Sequence, residues 1–171
     1  YTVDVGGVSK QATYVSGSGS QALVFQYTVV ADDVDSSGGI TSLVNALSAN
    51  GGTLKDAAGN SLVLTTAAIA SNTNAIAVDG VAPTVSSIAY GTNDGRLALG
   101  EAVDLTVTLS EAVNVVTTGG TPTLALANGG TATYAGGTGT NTLTFSYTPA
   151  ATQDTGDLAT AASSALTLNL S

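Results

Sequence analysis

The sequence predicts an all-β protein made of antiparallel β-sandwich repeats, present as two partial tandem copies. Two observations carry this prediction. Short stretches of alternating apolar and polar residues are separated by turn residues about every ten positions, and the same pattern returns 120 positions later. The composition agrees, because the chain has 21 Gly, is 43% hydrophobic and is only 9% charged.

The clearest predicted strand carries Val103, Leu105, Val107 and Leu109, which alternate with polar residues and give the period-2 pattern of a half-buried strand. Shorter stretches of the same kind lie at residues 62–64, 76–78, 124–126, 143–147 and 166–170. Residues that tolerate positive φ separate them at 50–52, 59–60, 93–95 and 128–130. Residues 39–49 are expected to form a short helix or a single turn.

The internal repeat is strongest in residues 11–29, which are identical to residues 131–149 at nine of nineteen positions. The alignment predicts that Phe25 and Phe145 occupy equivalent positions in two cores. It also predicts equivalent half-buried positions for four tyrosines: Tyr14 and Tyr27, and Tyr134 and Tyr147.

The phase of the repeat divides the chain into residues 1–80 and 81–171. Tyr1 aligns near Pro122, so the first part corresponds to the C-terminal part of one repeat. The second part corresponds to the N-terminal part of the next repeat, and neither copy is complete. Two interpretations follow: the chain is a piece of a long tandem array, or a neighbouring chain supplies the missing strands and builds a fibre.

Composition excludes several functional classes. Without Cys or His, the chain has no disulfide, no thiolate or imidazole metal site, and no Ser-His-Asp or Cys-His nucleophile. Three basic residues and a net charge of −9 argue against nucleic-acid partners, and the apolar runs are too short for membrane insertion. The two glutamates, Glu101 and Glu111, bracket one extended strand about 30 Å long, too far apart for a glycosidase pair. The sequence therefore predicts a protein that is not an enzyme.

Calcium is the one cofactor that the acidic residues favour. Asp32, Asp33 and Asp35 form an acidic loop whose oxygens suit this ion. The loop is not an EF-hand, because Val44 stands where that motif needs a bidentate Glu. The alternative is a solvated acidic loop, and Asp154 and Asp157 mark its counterpart in the second copy.

A second set of candidate calcium ligands surrounds the junction between the copies. These candidates are Asp56, Asn60, Asp79 and Glu111. They are grouped because loops from one end of a sandwich converge near the linker. For Asp56 and Asn60, the alternative is a tight turn held by Asx hydrogen bonds.

The stretch from Asp79 to Val85, with the sequence DGVAPTV, resembles the linker and first strand of bacterial immunoglobulin-like repeats. Such repeats occur in large repetitive surface adhesins of the RTX and biofilm type. Four further stretches resemble the same repeat, at residues 55–60, 99–107, 109–113 and 121–126. The resemblance implies an immunoglobulin-like sandwich, junctions stiffened by calcium, and a place outside the cell or on the bacterial surface.

The resemblance also implies a structural or adhesive role without catalysis. The expected partners are neighbouring repeats of the same protein or like chains, and a host or surface ligand. Two alternatives stay open: a fibre subunit that polymerises by intermolecular strand complementation, and a carbohydrate-binding module. The second is weaker, because sugar sites favour exposed aromatic faces and the chain has no Trp.

Overall fold

The computed structural model describes residues 1–36, 38–66, 76–93, 96–153, 155–156, 158–161 and 166–167. The chain divides into two compact units, unit 1 from Tyr1 to Ala82 and unit 2 from Pro83 to Ser171. Strands and turns account for the regular structure of the described residues, and no helix occurs among them. The prediction of an all-β chain with antiparallel sheets is confirmed. Nothing in the described part is a helix long and apolar enough to cross a membrane.

Unit 1 contains seven short strands: β1 (Thr2–Val5), β2 (Val8–Gln11), β3 (Thr13–Ser16), β4 (Val24–Gln26), β5 (Val34–Asp35), β6 (Thr41–Ser42) and β7 (Val78–Asp79). They form three small antiparallel sheets, with the orders β2-β1-β6, β3-β4 and β5-β7. Gly6 and Gly7, both at positive φ, close the β1–β2 hairpin. A Cβ on Gly6 would lie 2.0 Å from the carbonyl oxygen of Val34, so only glycine fits there.

The core of unit 1 is small. Four residues are buried in it: Val3, Val5, Ala12 and Val78. Four larger side chains pack against this core without being fully buried: Tyr1, Phe25, Tyr27 and Ile40. The alternation in β1, with Val3 and Val5 buried and Asp4 half-buried, is that of a strand with one face on the core.

Unit 2 contains six strands: β8 (Val85–Tyr90), β9 (Val103–Val113), β10 (Thr123–Ala125), β11 (Thr131–Gly136), β12 (Thr140–Tyr147) and β13 (Leu166–Thr167). All six join one antiparallel sheet with the order β13-β10-β11-β12-β9-β8. Ile88 of β8 and Leu166 of β13 pack against the same core, although they come from opposite ends of the sheet. The sheet therefore curls around its apolar face in a sandwich-like way.

β9 is the organising strand of unit 2. Its predicted alternation is confirmed, because Val103, Leu105, Val107 and Leu109 are all buried. β9 lies between β8 and β12, and Leu105 stands directly opposite Phe145. The apolar residues of β9 consequently extend the core beside the strand that carries Phe145.

One sequence expectation is wrong. Residues 62–64 form no strand, and Val63 is 75% exposed because only an isolated bridge between Lys55 and Ser61 holds this stretch. Within residues 39–49, the structure has β6 and a turn at Val44 and Asn45, so the turn is confirmed and the alternative of a short helix is not. Residues 94–95 of one predicted turn and residues 168–170 of the last predicted strand lie outside the described residues.

The β3–β4 and β11–β12 hairpins share one geometry, 120 positions apart. Tyr14 pairs with Phe25 in the first hairpin and Tyr134 with Phe145 in the second, and a bulge follows the tyrosine in both. The rings of each pair meet edge to face, with centroids 5.9 Å apart in both hairpins. The tyrosine hydroxyl accepts a 2.9 Å hydrogen bond from the N–H four residues on, in both cases.

The loops of these two hairpins also agree in backbone conformation and hydrogen bonding. Gly17 and Gly137 have φ values of 108° and 104°. A Cβ on either glycine would lie about 2 Å from a carbonyl oxygen, at 2.0 Å from Ala22 and 2.1 Å from Thr142. Both loops therefore require glycine at the same position. The hydroxyls of Ser20 and Thr140 then donate to the carbonyl oxygens of these two glycines at 2.8 Å.

Candidate functional site

The acidic loop of unit 1 lies against the segment that ends the unit. The N–H of Asp32 donates to the carbonyl of Gly80 at 3.1 Å, and the N–H of Gly80 donates to the carbonyl of Asp33 at 2.7 Å. β5 and β7 extend this contact, with Val34 opposite Asp79. The backbone thus brings together the acidic loop and the first residues of the predicted junction.

The side chain of Asp33 is the centre of this loop and is only 3% exposed. Its Oδ1 lies 2.5 Å from Nζ of Lys10. Its Oδ2 accepts hydrogen bonds from the hydroxyl of Tyr27 and, at 2.8 Å, from the N–H of Val30. Oδ1 is therefore paired with the Lys10 ammonium and Oδ2 with two hydrogen-bond donors, which is how a buried carboxylate is stabilised.

These contacts shift two acid–base equilibria in opposite directions. The hydrogen bond from Lys10, followed by those from Tyr27 and Val30, lowers the pKa of Asp33 to about 2. Acceptance by the Asp33 carboxylate, with burial, raises the pKa of Tyr27 to about 12. An ionised Asp33 beside a protonated phenol is consequently the stable arrangement over the whole neutral range.

Unit 2 holds the equivalent loop with a neutral side chain in place of the carboxylate. Gln153 stands 120 positions after Asp33, and its Oε1 accepts from the hydroxyl of Tyr147 at 3.0 Å and from the N–H of Ala150 at 2.9 Å. Asn128 donates to the same hydroxyl at 2.8 Å. A neutral amide can therefore replace the carboxylate. Asp33 and Gln153 both connect a loop to a tyrosine through a side-chain hydrogen bond.

Asp35 is also buried, at 6% exposure. Its Oδ2 accepts from the N–H of Gly6 at 3.2 Å. This bond ties the acidic loop to the β1–β2 turn, whose glycine also leaves room for the carbonyl of Val34. Asp35 thus takes part in holding the loop, as Asp33 does.

Asp56 and Asn60 form the Asx turn that was the alternative to a calcium site. Oδ1 of Asp56 accepts from the N–H groups of Ala58 at 3.0 Å and Asn60 at 2.8 Å, and Oδ2 accepts from the side-chain amide of Asn60 at 2.9 Å. The bonds from Asn60, then those from the backbone of Ala58 and Gly59, lower the pKa of Asp56. A charged carboxylate here organises a tight exposed turn.

The two remaining candidates lie in different units. Asp79 is in β7 of unit 1 and accepts from the N–H of Val81 at 3.1 Å. Glu111 lies inside β9 of unit 2, two residues before the strand ends, and is half-buried. Its Oε1 is buried without a hydrogen-bond partner in the part of the chain that the structure describes.

A calcium ion needs several carboxylate or carbonyl oxygens turned toward one point. Among the described residues, no group of three or more acidic, His or Cys side chains is placed to hold a metal ion. The carboxylates of Asp33 and Asp56 already accept from N–H, O–H or ammonium donors, so this donor set does not fit calcium as it stands. Asp154 and Asp157 lie outside the described residues. Calcium binding stays a prediction.

Sequence reasoning missed the partners that give Asp33 its role. In the sequence Lys10 is only one of three basic residues, whereas in the structure it forms an ion pair with this aspartate. The repeat predicts a half-buried position for Tyr27 but not its hydrogen bond. The signal was present in the repeat, because Tyr27 and Tyr147 align and are each followed six residues later by an acceptor side chain.

Unit 1 also contains an apolar groove of about 560 Å³, called the open groove below. Six of the residues that line it are Val3, Ala12, Leu23, Phe25, Tyr27 and Ile40. It lies beside β4, which pairs with β3 and with no other strand of the described residues. An apolar groove next to an unpaired strand edge is the usual form of a strand-accepting surface.

Unit 2 has a wider cavity of about 840 Å³ beside the Tyr147–Gln153 bond. Tyr90, Arg96 and Leu158 also line it, so an aromatic ring, a cation and an apolar side chain face the same space. Tyr90 is 40% exposed, whereas Tyr147, the other aromatic that lines this cavity, is 2% exposed.

Comparison of the chain with protein-family models, with curated proteins and with solved structures gives no match.

Proposed function

We propose that the chain is a non-enzymatic structural module made of parts of two immunoglobulin-like repeats. The parent protein is a bacterial cell-surface adhesin or an extracellular fibre, and the repeats extend or link it. The observation that carries the proposal is the agreement of the β3–β4 and β11–β12 hairpins in register, bulge, aromatic contact and loop bonds. Such agreement at a constant offset of 120 supports a tandem repeat.

The chemistry of the chain supports a structural role in two ways. Its buried carboxylates are engaged in closing loops and turns, so they are not presented to a substrate. Its net charge of −9 and its few aromatic residues suit a chain that stays soluble while many copies are joined end to end. Adhesion to a host or surface ligand belongs to the same proposal.

The test is to build one complete repeat by joining residues 81–169 to residues 51–80. In this part of the alignment the offset is 119, so residue 50 aligns with residue 169 and the chimera is expected to contain every strand of a single copy. We expect it to unfold in one cooperative transition, at a higher temperature than residues 81–171 alone. Concatenation of three such copies should give particles whose length in electron micrographs rises in proportion to copy number.

A control joins residues 81–159 to residues 51–80, so that ten residues are missing at the junction and the repeat phase is lost. The control should melt at a lower temperature than the chimera and without cooperativity. Equal stability of the two chimeras, or compact particles that do not lengthen with copy number, contradicts the proposal.

A second candidate function is a fibre subunit that polymerises by strand complementation. The observation in its favour is that one edge of β4, beside the open groove, pairs with no strand in the described part of the chain. Filaments formed by the purified 171-residue chain, seen by electron microscopy and dissolved by an excess of a competing strand, would support this function. A monomer at all accessible concentrations would remove it.

A further inference from the structure

The open groove of unit 1 has a filled counterpart in unit 2. Leu23, Phe25 and Tyr27 line the open groove and are half-buried. Their counterparts 120 positions later are almost completely buried: Leu143 at 2%, Phe145 at 0% and Tyr147 at 2%. The same three side-chain types on the same hairpin thus differ in burial, and only those of unit 2 have a third described strand beside them.

The third strand beside this hairpin in unit 2 is β9. Val107 pairs with Leu143, Leu105 with Phe145 and Val103 with Tyr147. The three β9 residues are themselves buried and belong to the same core as the aromatic strand. The interface between β9 and the hairpin is therefore already made once in this molecule, and its register is known.

The occupant must be an extended strand with apolar residues at alternate positions, because only that pattern reaches the groove while its backbone pairs with β4. The β9 of a second copy is a poor source. Leu105 and Val107 are fully buried in their own unit, so donating this strand would expose the core of unit 2. The β9-type strand of a further repeat has the same alternating pattern and can be donated without opening the core of unit 2.

We propose that the open groove and the edge of β4 that no described strand pairs with form a docking site for the β9-type strand of another repeat. The docked strand is antiparallel to β4 and has β9's register. It thus places a Leu105-type residue opposite Phe25, with Val107-type and Val103-type residues opposite Leu23 and Tyr27. This inference rests on the repeat equivalence in the proposed function. It adds the site, the strand chemistry and the register.

The test uses the complete chain, labelled with ¹⁵N, and a synthetic peptide with the sequence of residues 101–113. The expected result is saturable movement of the amide signals of Leu23–Tyr27, together with slower hydrogen exchange of β4 amides. The amides of Leu143–Tyr147 serve as the internal control, because their groove is already filled, and they should not move. A peptide carrying Leu105→Asp should bind at least about tenfold more weakly, since it would bury an unpaired carboxylate.

Three outcomes overturn the proposal: no saturable change in unit 1, equal binding of the Leu105→Asp peptide, or movement confined to unit 2. Concentration-dependent dimerisation of the chain that the peptide does not compete with also overturns it, since a second copy would then be the occupant. The chimera described above folds or fails independently of this peptide. Failure of the docking site and failure of the repeat proposal are therefore distinguishable.

Discussion

Tyr27 and Asp33 are joined side chain to side chain across the turn that separates them, and the pair recurs 120 positions later with Gln153 in place of the aspartate. In both units the acceptor also takes the N–H that lies three residues before it, from Val30 and Ala150 respectively. The loop is therefore closed by a tyrosine and a short polar acceptor, and the charge on Asp33 is an addition particular to unit 1.

The charge predicts a pH dependence of the stability of unit 1. The pKa of Asp33 is lowered to about 2 in the folded chain, from 3.8 for an ordinary aspartate. A lowered folded pKa contributes stability above the unfolded pKa, and this contribution is lost as the pH falls through the folded value. We therefore expect the melting temperature of unit 1 to fall between about pH 4 and pH 2, and to fall less in Asp33→Asn. Asp56→Asn is the control, because Asp56 is another carboxyl whose pKa is lowered in the folded chain.

The tyrosine of the pair predicts an effect at high pH. The pKa of Tyr27 is raised to about 12, so the protonated phenol contributes stability that is lost as the pH rises from 10 through 12. In an ultraviolet titration of phenolate absorbance, one tyrosine should ionise after the others, and Tyr27→Phe should remove this late step. A late step that survives in Tyr27→Phe would show that the wrong residue has been assigned.

The neutral version in unit 2 predicts the order of effects at residue 33. Asp33→Gln should keep an acceptor for Tyr27 and Val30 and lose the ion pair with Lys10, whereas Asp33→Ala loses all three contacts. The melting temperature should therefore decrease in the order wild type, Gln, Ala. In unit 2, Gln153→Ala is expected to cost about 1–3 kcal/mol in urea unfolding, because Ala150 and Tyr147 lose their acceptor. An Ala variant at residue 33 as stable as the Gln variant would contradict this account.

The hairpin loop predicts a contrast between two adjacent glycines. Gly137→Ala should cost at least about 2 kcal/mol, since φ is 104° and the new Cβ would lie 2.1 Å from the carbonyl oxygen of Thr142. Gly136→Ala is the matched control, because nothing lies within 4 Å of its Cβ position, and it should change stability by no more than about 0.5 kcal/mol. Urea unfolding followed at the amides of β11 and β12 measures both, and equal losses would refute the steric explanation.

Calcium at millimolar concentration is expected not to raise the melting temperature through Asp33 or Asp56. The carboxylates of Asp33 and Asp56 would have to release hydrogen-bond donors before binding the ion. A calcium-dependent rise in the melting temperature that disappears in Asp33→Asn or Asp56→Asn would contradict the expectation and would support the calcium site predicted from the sequence.

Sequence alone predicts the parts of this fold that depend on alternation and turn chemistry. β9 follows directly from its apolar residues at every second position, and Gly59 and Gly129 have the positive φ expected of the predicted turns. The alternation of Leu62 and Leu64 is just as regular, yet these residues form no strand, because a strand also needs a partner that sequence does not specify.

The site was less predictable than the fold. Acidic residues near one another suggested a cation, but Asp33 has its counter-charge in Lys10, which lies 23 positions earlier in the chain. The equivalence of Phe25 and Phe145 was correct in register, whereas their burial differs because only Phe145 has β9 beside it among the described residues. Contacts of this range depend on which strands are present, and local sequence patterns do not encode them.

The described sheets of unit 1 contain fewer strands than the sheet of unit 2, and this difference has a mechanical consequence. In unit 2, β9 is held on both edges, so pulling along it must break two ladders of hydrogen bonds together. The strands of unit 1 lie in described sheets of only two or three strands, which can separate one bond at a time. Under tension, unit 1 should therefore unfold first and lengthen the molecule at low force, while unit 2 stays folded.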